Sequence, residues 1–359
     1  MPMAKKVLVI EDSALMRKHL RRILEEGGFE VEVARNGQEG LDKIPEYNPD
    51  VVTLDINMPV MDGITCLSLI MNKCPKPVVM VSSLTEKGAL VTFEALELGA
   101  VDYVPKPGGT VSLNMDQSAE ILLSKVGAAA EMKIRSSTPL QSKLRVRRER
   151  AEASTNRKSV TMFSRRQNCQ FHAIVMGVST GGPGTLQEIL TALPQDFPIP
   201  IIVAQHMPAR FTQVFAERLN KMCNINVTEV SSPTELLPGS VYIGRGDADI
   251  KVVSRSGKRL AISAPADESH LWHPSVEHLV NSAVQIYGAS KVLCVQLTGM
   301  GHDGAQAMAD AKKNGALTIA ESEETAVVFG MPRELIELNA ADKILPKYKI
   351  ADALINAVK

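Results

Sequence analysis

The chain is short of the features that would assign it to several large classes of protein. Its five cysteines (Cys66, Cys74, Cys169, Cys223 and Cys294) are odd in number and form no C-x-x-C pair. That excludes a disulfide framework and a thiolate zinc site, and predicts a reducing compartment with buried thiols. No charge of one sign is in excess, since Lys+Arg and Asp+Glu both total 40, so overall charge draws the protein neither to nucleic acid nor to a membrane surface. No apolar run approaches the ~20 residues of a membrane span. The opening "MPMAKKVLVIEDSA" has only "VLVI" before its first acids, too short a core for a secretory leader. The expectation is a cytoplasmic protein with no nucleic-acid partner and no membrane insertion.

What is present is a repeated alternation of strands and helices. With 359 residues and 45% hydrophobic content, the chain can bury more than one core, and two domains are expected. From Lys5 to about Met132, the short apolar runs "VLVI", "EVEVA", "VVTL", "VVMV" and "VDYV" alternate with amphipathic stretches, the pattern of a parallel sheet covered on both faces. Ser13 is placed to cap the first helix and Gly27-Gly28 to end it. Between Lys133 and Arg166 the alternation stops. Eleven Lys or Arg face only Glu149 and Glu152, a segment charge of +9, and so little apolar surface cannot offset the entropy of ordering. This basic segment is read as a mobile linker, 133–167, between domains at 1–132 and 168–359. Aromatic stacking residues are too few there for a nucleic-acid patch. From Phe171 the alternation resumes with "AIVMGV", "IIVAQ", "INVTEV", "VLCVQLT" and "ALTIA", a second doubly wound α/β domain. Its short runs "VYIG", "IKVV" and "LAIS" are expected to form a β-ribbon insertion.

In open parallel sheets, ligands gather beyond the carboxyl ends of the strands, which selects the residues to weigh. In the first domain these are Glu11 and Asp12, Asp55, Ser82 and Lys106. Three carboxylates in one pocket repel, and a hard, oxygen-seeking divalent cation such as magnesium relieves them. Lys106 can pair with Asp55 or with an added phosphoryl group, and Ser82 can donate to its oxygens. The segments "VIEDSALMR", "VVTLDINMPVMDG", "MVSSLT" and "DYVPKP" resemble the receiver domain of two-component response regulators over residues 4 to 130. The resemblance implies a flavodoxin-like receiver with Asp55 as phosphoryl acceptor, Glu11 and Asp12 on the Mg2+ side, and Ser82, Tyr103 and Lys106 as the switch set. A sensor histidine kinase is then the phosphodonor. Many receivers have Asp-Asp where this chain has Glu11-Asp12.

In the second domain the same rule selects Ser179 after "AIVMGV", His206 after "IIVAQ" and Asp303 after "VLCVQLT": a nucleophile, a base and an orienting acid on three strand ends. "GVSTGG" also admits a plain strand-to-helix turn or a phosphate cradle. No Lys follows Gly182 and the second glycine of a dinucleotide turn is missing, which disfavours the cradle. "GVSTG" fits the G-x-S-x-G elbow, but the order Ser, His, Asp differs from that of α/β-hydrolases, so the chemistry is read as convergent on a separate fold. Met300 and Gly301 lie where a backbone N–H can face an oxyanion. His270, His273, Glu277 and His278 lack the H-E-x-x-H spacing of a zinc site and are read as a solvent-facing helix start, with His302 as a loop residue.

"GVSTGGPGTL", "AQHMPARFTQVFAERLN", "LPGSVYI", "HPSVEHL", "LTGMGHDGAQAM" and "VVFGMPREL" resemble the effector domain of chemotaxis protein-glutamate methylesterases, from about Phe171 to Lys359. The resemblance implies hydrolysis of glutamate methyl esters, and deamidation of glutamines, on methyl-accepting chemoreceptors. It makes Ser179 the nucleophile, His206 the base, Asp303 its orienter and the Met300 backbone the oxyanion donor, with no cofactor for the esterase. Where that family is expected to have Arg, this chain has His273. Because both functional faces lie at carboxyl ends of sheets, the receiver is expected to sit over the hydrolase crevice until Asp55 is phosphorylated.

Overall fold

The computed structural model describes residues 4–83, 85–106, 115–132 and 169–359; the expected basic linker lies outside them. The first unit runs β1 (Lys6–Ile10), α1 (Ala14–Glu26), β2 (Glu30–Ala34), α2 (Gly37–Tyr47), β3 (Val51–Asp55), α3 (Gly63–Lys73), β4 (Val78–Ser82), α4 (Glu86–Leu98), β5 (Asp102–Pro105) and α5 (Met115–Glu131). Its sheet has the order β2-β1-β3-β4-β5, all parallel. Strands β3 and β4 are buried along their whole length, which is why they read as unbroken apolar runs rather than alternating ones. Ser13 accepts from the Met16 N–H to start α1, and Gly28 takes a positive φ of 86° just beyond its end, as the sequence predicts.

The second unit runs β6 (Ala173–Val178), α6 (Gly182–Leu190), β7 (Ile201–Gln205), α7 (Ala209–Met222), β8 (Asn226–Val230), β9 (Thr234–Glu235), β10 (Ser240–Gly244), β11 (Ala248–Arg255) and β12 (Lys258–Pro265). It continues through α8 (Val276–Tyr287), β13 (Val292–Gln296), α9 (Ala305–Lys313), β14 (Leu317–Glu321), α10 (Met331–Glu337), β15 (Lys343–Leu345) and α11 (Lys347–Ala357). A seven-stranded sheet, β15-β14-β13-β6-β7-β10-β8, lies beside a three-stranded one, β11-β12-β9. The expected ribbon is therefore corrected. "VYIG" is not part of it; β10 pairs in parallel with both β7 and β8. Only β9, β11 and β12 form the antiparallel insertion. Local periodicity does not distinguish a short ribbon strand from a short sheet strand, because the choice rests on distant partners. Cys66 and Cys294 are buried free thiols, whereas Cys74, Cys169 and Cys223 are only half-buried.

The two units share an apolar seam. Phe93 of α4 stacks on Phe215 of α7 at 5.4 Å between ring centroids and meets Phe211 edge-on at 6.2 Å. Tyr103 of β5 lies flat on Phe211 at 4.4 Å. Such ring pairs add about 0.5–1.5 kcal/mol each beyond their area. Around them are three polar contacts: Glu97 with Arg218, the Thr180 hydroxyl donating to Asp102, and the Ser124 hydroxyl on the Met300 sulfur at 2.9 Å. The first unit thus meets the second through α4, β5 and α5, not through its acidic pocket.

Candidate functional site

Each sheet has one switch point, where the chain leaves a central strand first to one side and later to the other. In the first unit it lies between β1 and β3, and in the second between β6 and β13. These are the crevices where the rule for open sheets places ligands, and both hold the residues the sequence selects.

At the first crevice, carboxylate oxygens of Glu11, Asp12 and Asp55 lie within 4.8 Å of one another, with Glu11 and Asp55 buried and Asp12 exposed. The Lys106 ammonium reaches Asp55 at 2.9 Å and Glu11 at 3.0 Å. Burial raises the Asp55 pKa, and Lys106 only partly counters it; Glu11 is raised by burial and then by the Asp55 charge. Lys106 is raised as well, because the two carboxylates outweigh its own desolvation. These hard oxygen donors with unmet demand for positive charge fit a divalent cation. The Ser82 hydroxyl, by contrast, has Thr92 at 2.9 Å and the Gly88 carbonyl at 3.4 Å. Tyr103 is buried with its hydroxyl unpartnered, facing the domain seam.

At the second crevice, Ser179 immediately follows β6. Its N–H donates to the Thr298 carbonyl at 2.9 Å, and its own carbonyl accepts from the Gly182 N–H at 2.8 Å and from Gln205 Nε2 at 3.0 Å. Gly181 has a φ of 78° and could bear no side chain, since a Cβ there would lie 2.3 Å from Val327. The loop opposite approaches just as closely: a Cβ on Gly299 would lie 2.8 Å from that of Ser179. His206 follows β7, its N–H on the Val178 carbonyl at 3.1 Å. Its Nε2 meets Asp303 Oδ2 at 2.8 Å, and its ring stacks on Trp272 at 5.7 Å. Nδ1 is buried without a hydrogen-bond partner, so the Ser179 to His206 hydrogen bond is not formed in this state. With a proton on Nε2 held by Asp303, Nδ1 is the ring's lone-pair nitrogen.

Asp303 sits on the N-terminus of α8. It accepts from the Ser275 hydroxyl at 3.1 Å, the Val276 N–H at 2.7 Å and the Glu277 N–H at 3.0 Å. Burial opposes its charge, but His206 and those N–H donors hold its pKa down at about 2. Met300 stands in the loop after β13, and its N–H donates to no described residue. Thr298 anchors that loop: its N–H donates to Glu321 at 2.9 Å, its hydroxyl to the Thr180 carbonyl at 2.8 Å, and it accepts from the Val328 N–H at 2.9 Å.

Ser275, Thr298 and Glu321 escape the sequence reading, yet Glu321 ends β14 and the strand-end rule, applied to one more strand, selects it. The reading of the histidines is corrected. His273 is not a free helix start but pairs with buried Asp249 at 3.0 Å, which raises its pKa. His278 is half-buried on Asp267 at 3.0 Å. Glu277 contributes its backbone to Asp303, and His302 remains an exposed loop residue.

Residues 174–354 match the family model "CheB methylesterase", and residues 7–115 match "Response regulator receiver domain". The chain is 51% identical over 351 residues to protein-glutamate methylesterase/protein-glutamine glutaminase 3 of Rhodospirillum rubrum, covering 97% of this chain and 95% of that one. It is 46% identical over 359 residues to the enzyme so named in Caldanaerobacter subterraneus subsp. tengcongensis, covering 98% of this chain and 96% of that one. The crystal structure of the Thermotoga maritima CheB methylesterase catalytic domain superposes with a TM-score of 0.51 at 41% identity, covering 52% of this chain and 99% of that one.

Proposed function

The chain belongs to the CheB methylesterase family and carries a response regulator receiver domain, and on that premise we propose how its residues divide the work. The protein is a protein-glutamate methylesterase and protein-glutamine glutaminase of chemotaxis, regulated through its receiver. Its domains are assigned to 1–132 and 168–359, joined by 133–167. Its substrates are methyl-accepting chemoreceptors, its phosphodonor a chemotaxis histidine kinase, and its place the cytoplasm. Among the described residues no helix is long and apolar enough to cross a membrane.

The observation that carries the catalytic assignment is the Asp303 to His206 contact at 2.8 Å, which leaves Nδ1 as the only unpaired ring nitrogen. Ser179 Oγ attacks the γ-ester carbonyl while His206 Nδ1 takes its proton. Charge builds on the carbonyl oxygen, opposite the Met300 N–H. The imidazolium is stabilised by Asp303 and returns the proton to the departing methoxide as methanol, or to the amine as ammonia when the substrate is glutamine. Water then loses a proton to Nδ1, attacks the acyl-serine and releases the glutamate carboxyl and free Ser179. In the resting state the Ser179 to His206 bond is open, and the receiver touches both neighbours of the reaction, Thr180 and Met300.

Asp55 is assigned as phosphoryl acceptor, with Glu11 and Asp12 holding Mg2+, which would offset the charge of the incoming phosphoryl group. Lys106 and Ser82 then answer the new oxygens. Drawing Ser82 from Thr92 and Gly88 disturbs α4 next to Phe93 and Tyr103, and favours the undocked state. The test is methanol release from methylated receptors, with and without a small phosphodonor and magnesium. The assignment fails if Ser179→Ala retains normal release, or if Asp55→Asn is labelled and activated like the wild type.

A further inference from the structure

The segment between β12 and α8 assembles a group of side chains that the esterase chemistry leaves unused. Asp267, His270 and His278 offer one ligand atom each, all within 4.8 Å of one another. His278 Nε2 lies 3.0 Å from Asp267 Oδ2, and His270 Nδ1 lies 3.9 Å from the same oxygen; the two rings are 4.6 Å apart. We propose that these three residues form a zinc site that staples the Trp272 segment to the start of α8.

Two imidazoles and one carboxylate suit a borderline divalent ion, and zinc takes such sets with a water in the fourth position. Bonds of about 2.0–2.1 Å in a tetrahedron separate ligand atoms by about 3.3 Å, so adjustments of about an ångström gather all three. The outer partners are already arranged. Ser269 donates to Asp267 Oδ1 through both its N–H and its hydroxyl, at 3.0 and 2.7 Å, which leaves Oδ2 toward the histidines. Behind them, buried Asp249 accepts from the Asp267 N–H at 3.1 Å and lies 3.8 Å from His278 Nε2. That hydrogen bond fixes the Asp267 backbone against the buried start of β11. The ion would touch no reacting atom. Its consequence is positional, since the stapled segment presents Trp272 to the His206 ring and Ser275 to Asp303.

The protein carries its own reporter, because Trp272 is its one tryptophan. Full-length protein, reduced and held in excess magnesium to occupy the receiver pocket, is titrated with zinc while Trp272 emission is followed, and retained zinc is counted by elemental analysis after dialysis. The expected result is a saturable emission change ending at one zinc per chain. His270→Ala and His278→Gln should each weaken the apparent affinity at least about tenfold while keeping wild-type far-ultraviolet dichroism. His270 is a loop residue whose loss leaves the core intact. No emission change and no retained zinc in the wild type would overturn the site, as would equal retention by both variants. Zinc retained by the wild type and lost from the variants with Trp272 silent would overturn the staple.

Discussion

The two crevices lie at equivalent points of two parallel sheets, and each withdraws a carboxylate from water, Asp55 fully and Asp303 mostly, yet they treat it in opposite ways. Asp303 accepts from Ser275, Val276, Glu277 and His206, and its pKa falls to about 2. Asp55 accepts from the Ile56 and Asn57 N–H groups and pairs with Lys106, shares that lysine with Glu11, and its pKa rises. Burial acts in the same direction on both, so the number of donors decides the sign. A carboxylate saturated with donors is a fixed negative charge, suited to steadying an imidazolium. One left short of donors is receptive to a cation and then to a phosphoryl group. The same fold class thus builds a permanent charge and an adjustable one.

The hydrolase side of this contrast should give the largest effects. Ser179→Ala should lower methanol release by about 10⁶-fold, and Asp303→Asn by about 10⁴-fold through loss of the tautomer-fixing charge. Equal activity of Asp303→Asn and wild type would break the comparison. Next is the receiver's restraint. A fragment starting near Asn168 should exceed unphosphorylated full-length protein by about 5- to 150-fold, the usual range of allosteric coupling. An unchanged or lower rate would mean that the receiver acts through positive contacts instead.

Stability should separate the carboxylates by sign. Asp303 is depressed, so its contribution is present above the ordinary carboxylate range and lost as pH falls toward about 2. Asp55 is raised, so its contribution is greatest at low pH and is lost as pH rises through its folded value. At neutral pH with a chelator present, Asp55→Asn should therefore raise the melting temperature and Asp303→Asn lower it, as read by calorimetry. Changes of the same sign would contradict the donor-count explanation. The smallest effect belongs to Glu97→Ala. Its exposed pair with Arg218 is worth about 1 kcal/mol at most, so resting esterase activity should rise no more than about fivefold.

The strand-end rule makes Glu11, Asp55, Ser82, Lys106, Ser179, His206 and Asp303 legible in the sequence itself, because parallel strands ending in polar residues leave few other places for them. Contacts that depend on chain return are illegible there. The Ser275 hydroxyl reaches Asp303 from 28 residues away, and the Glu321 carboxylate accepts from the Thr298 N–H 23 residues away, pairings that no local composition signals. The histidines are misread for a similar reason. Their carboxylate partners, Asp267 and Asp249, come from the ends of a ribbon whose pairing no local spacing reveals.

Thr180 and Met300 are held by Asp102 and Ser124 of the same polypeptide, so in the proposed restraint dilution cannot separate inhibitor from enzyme. A free inhibitor would release its target as its concentration fell, and the resting activity would drift with expression level. A tethered one keeps a fixed local concentration near the crevice. Under the proposed restraint, the phosphoryl group and the seam contacts set the proportion of closed molecules, and it is the same whether the cell makes few copies or many.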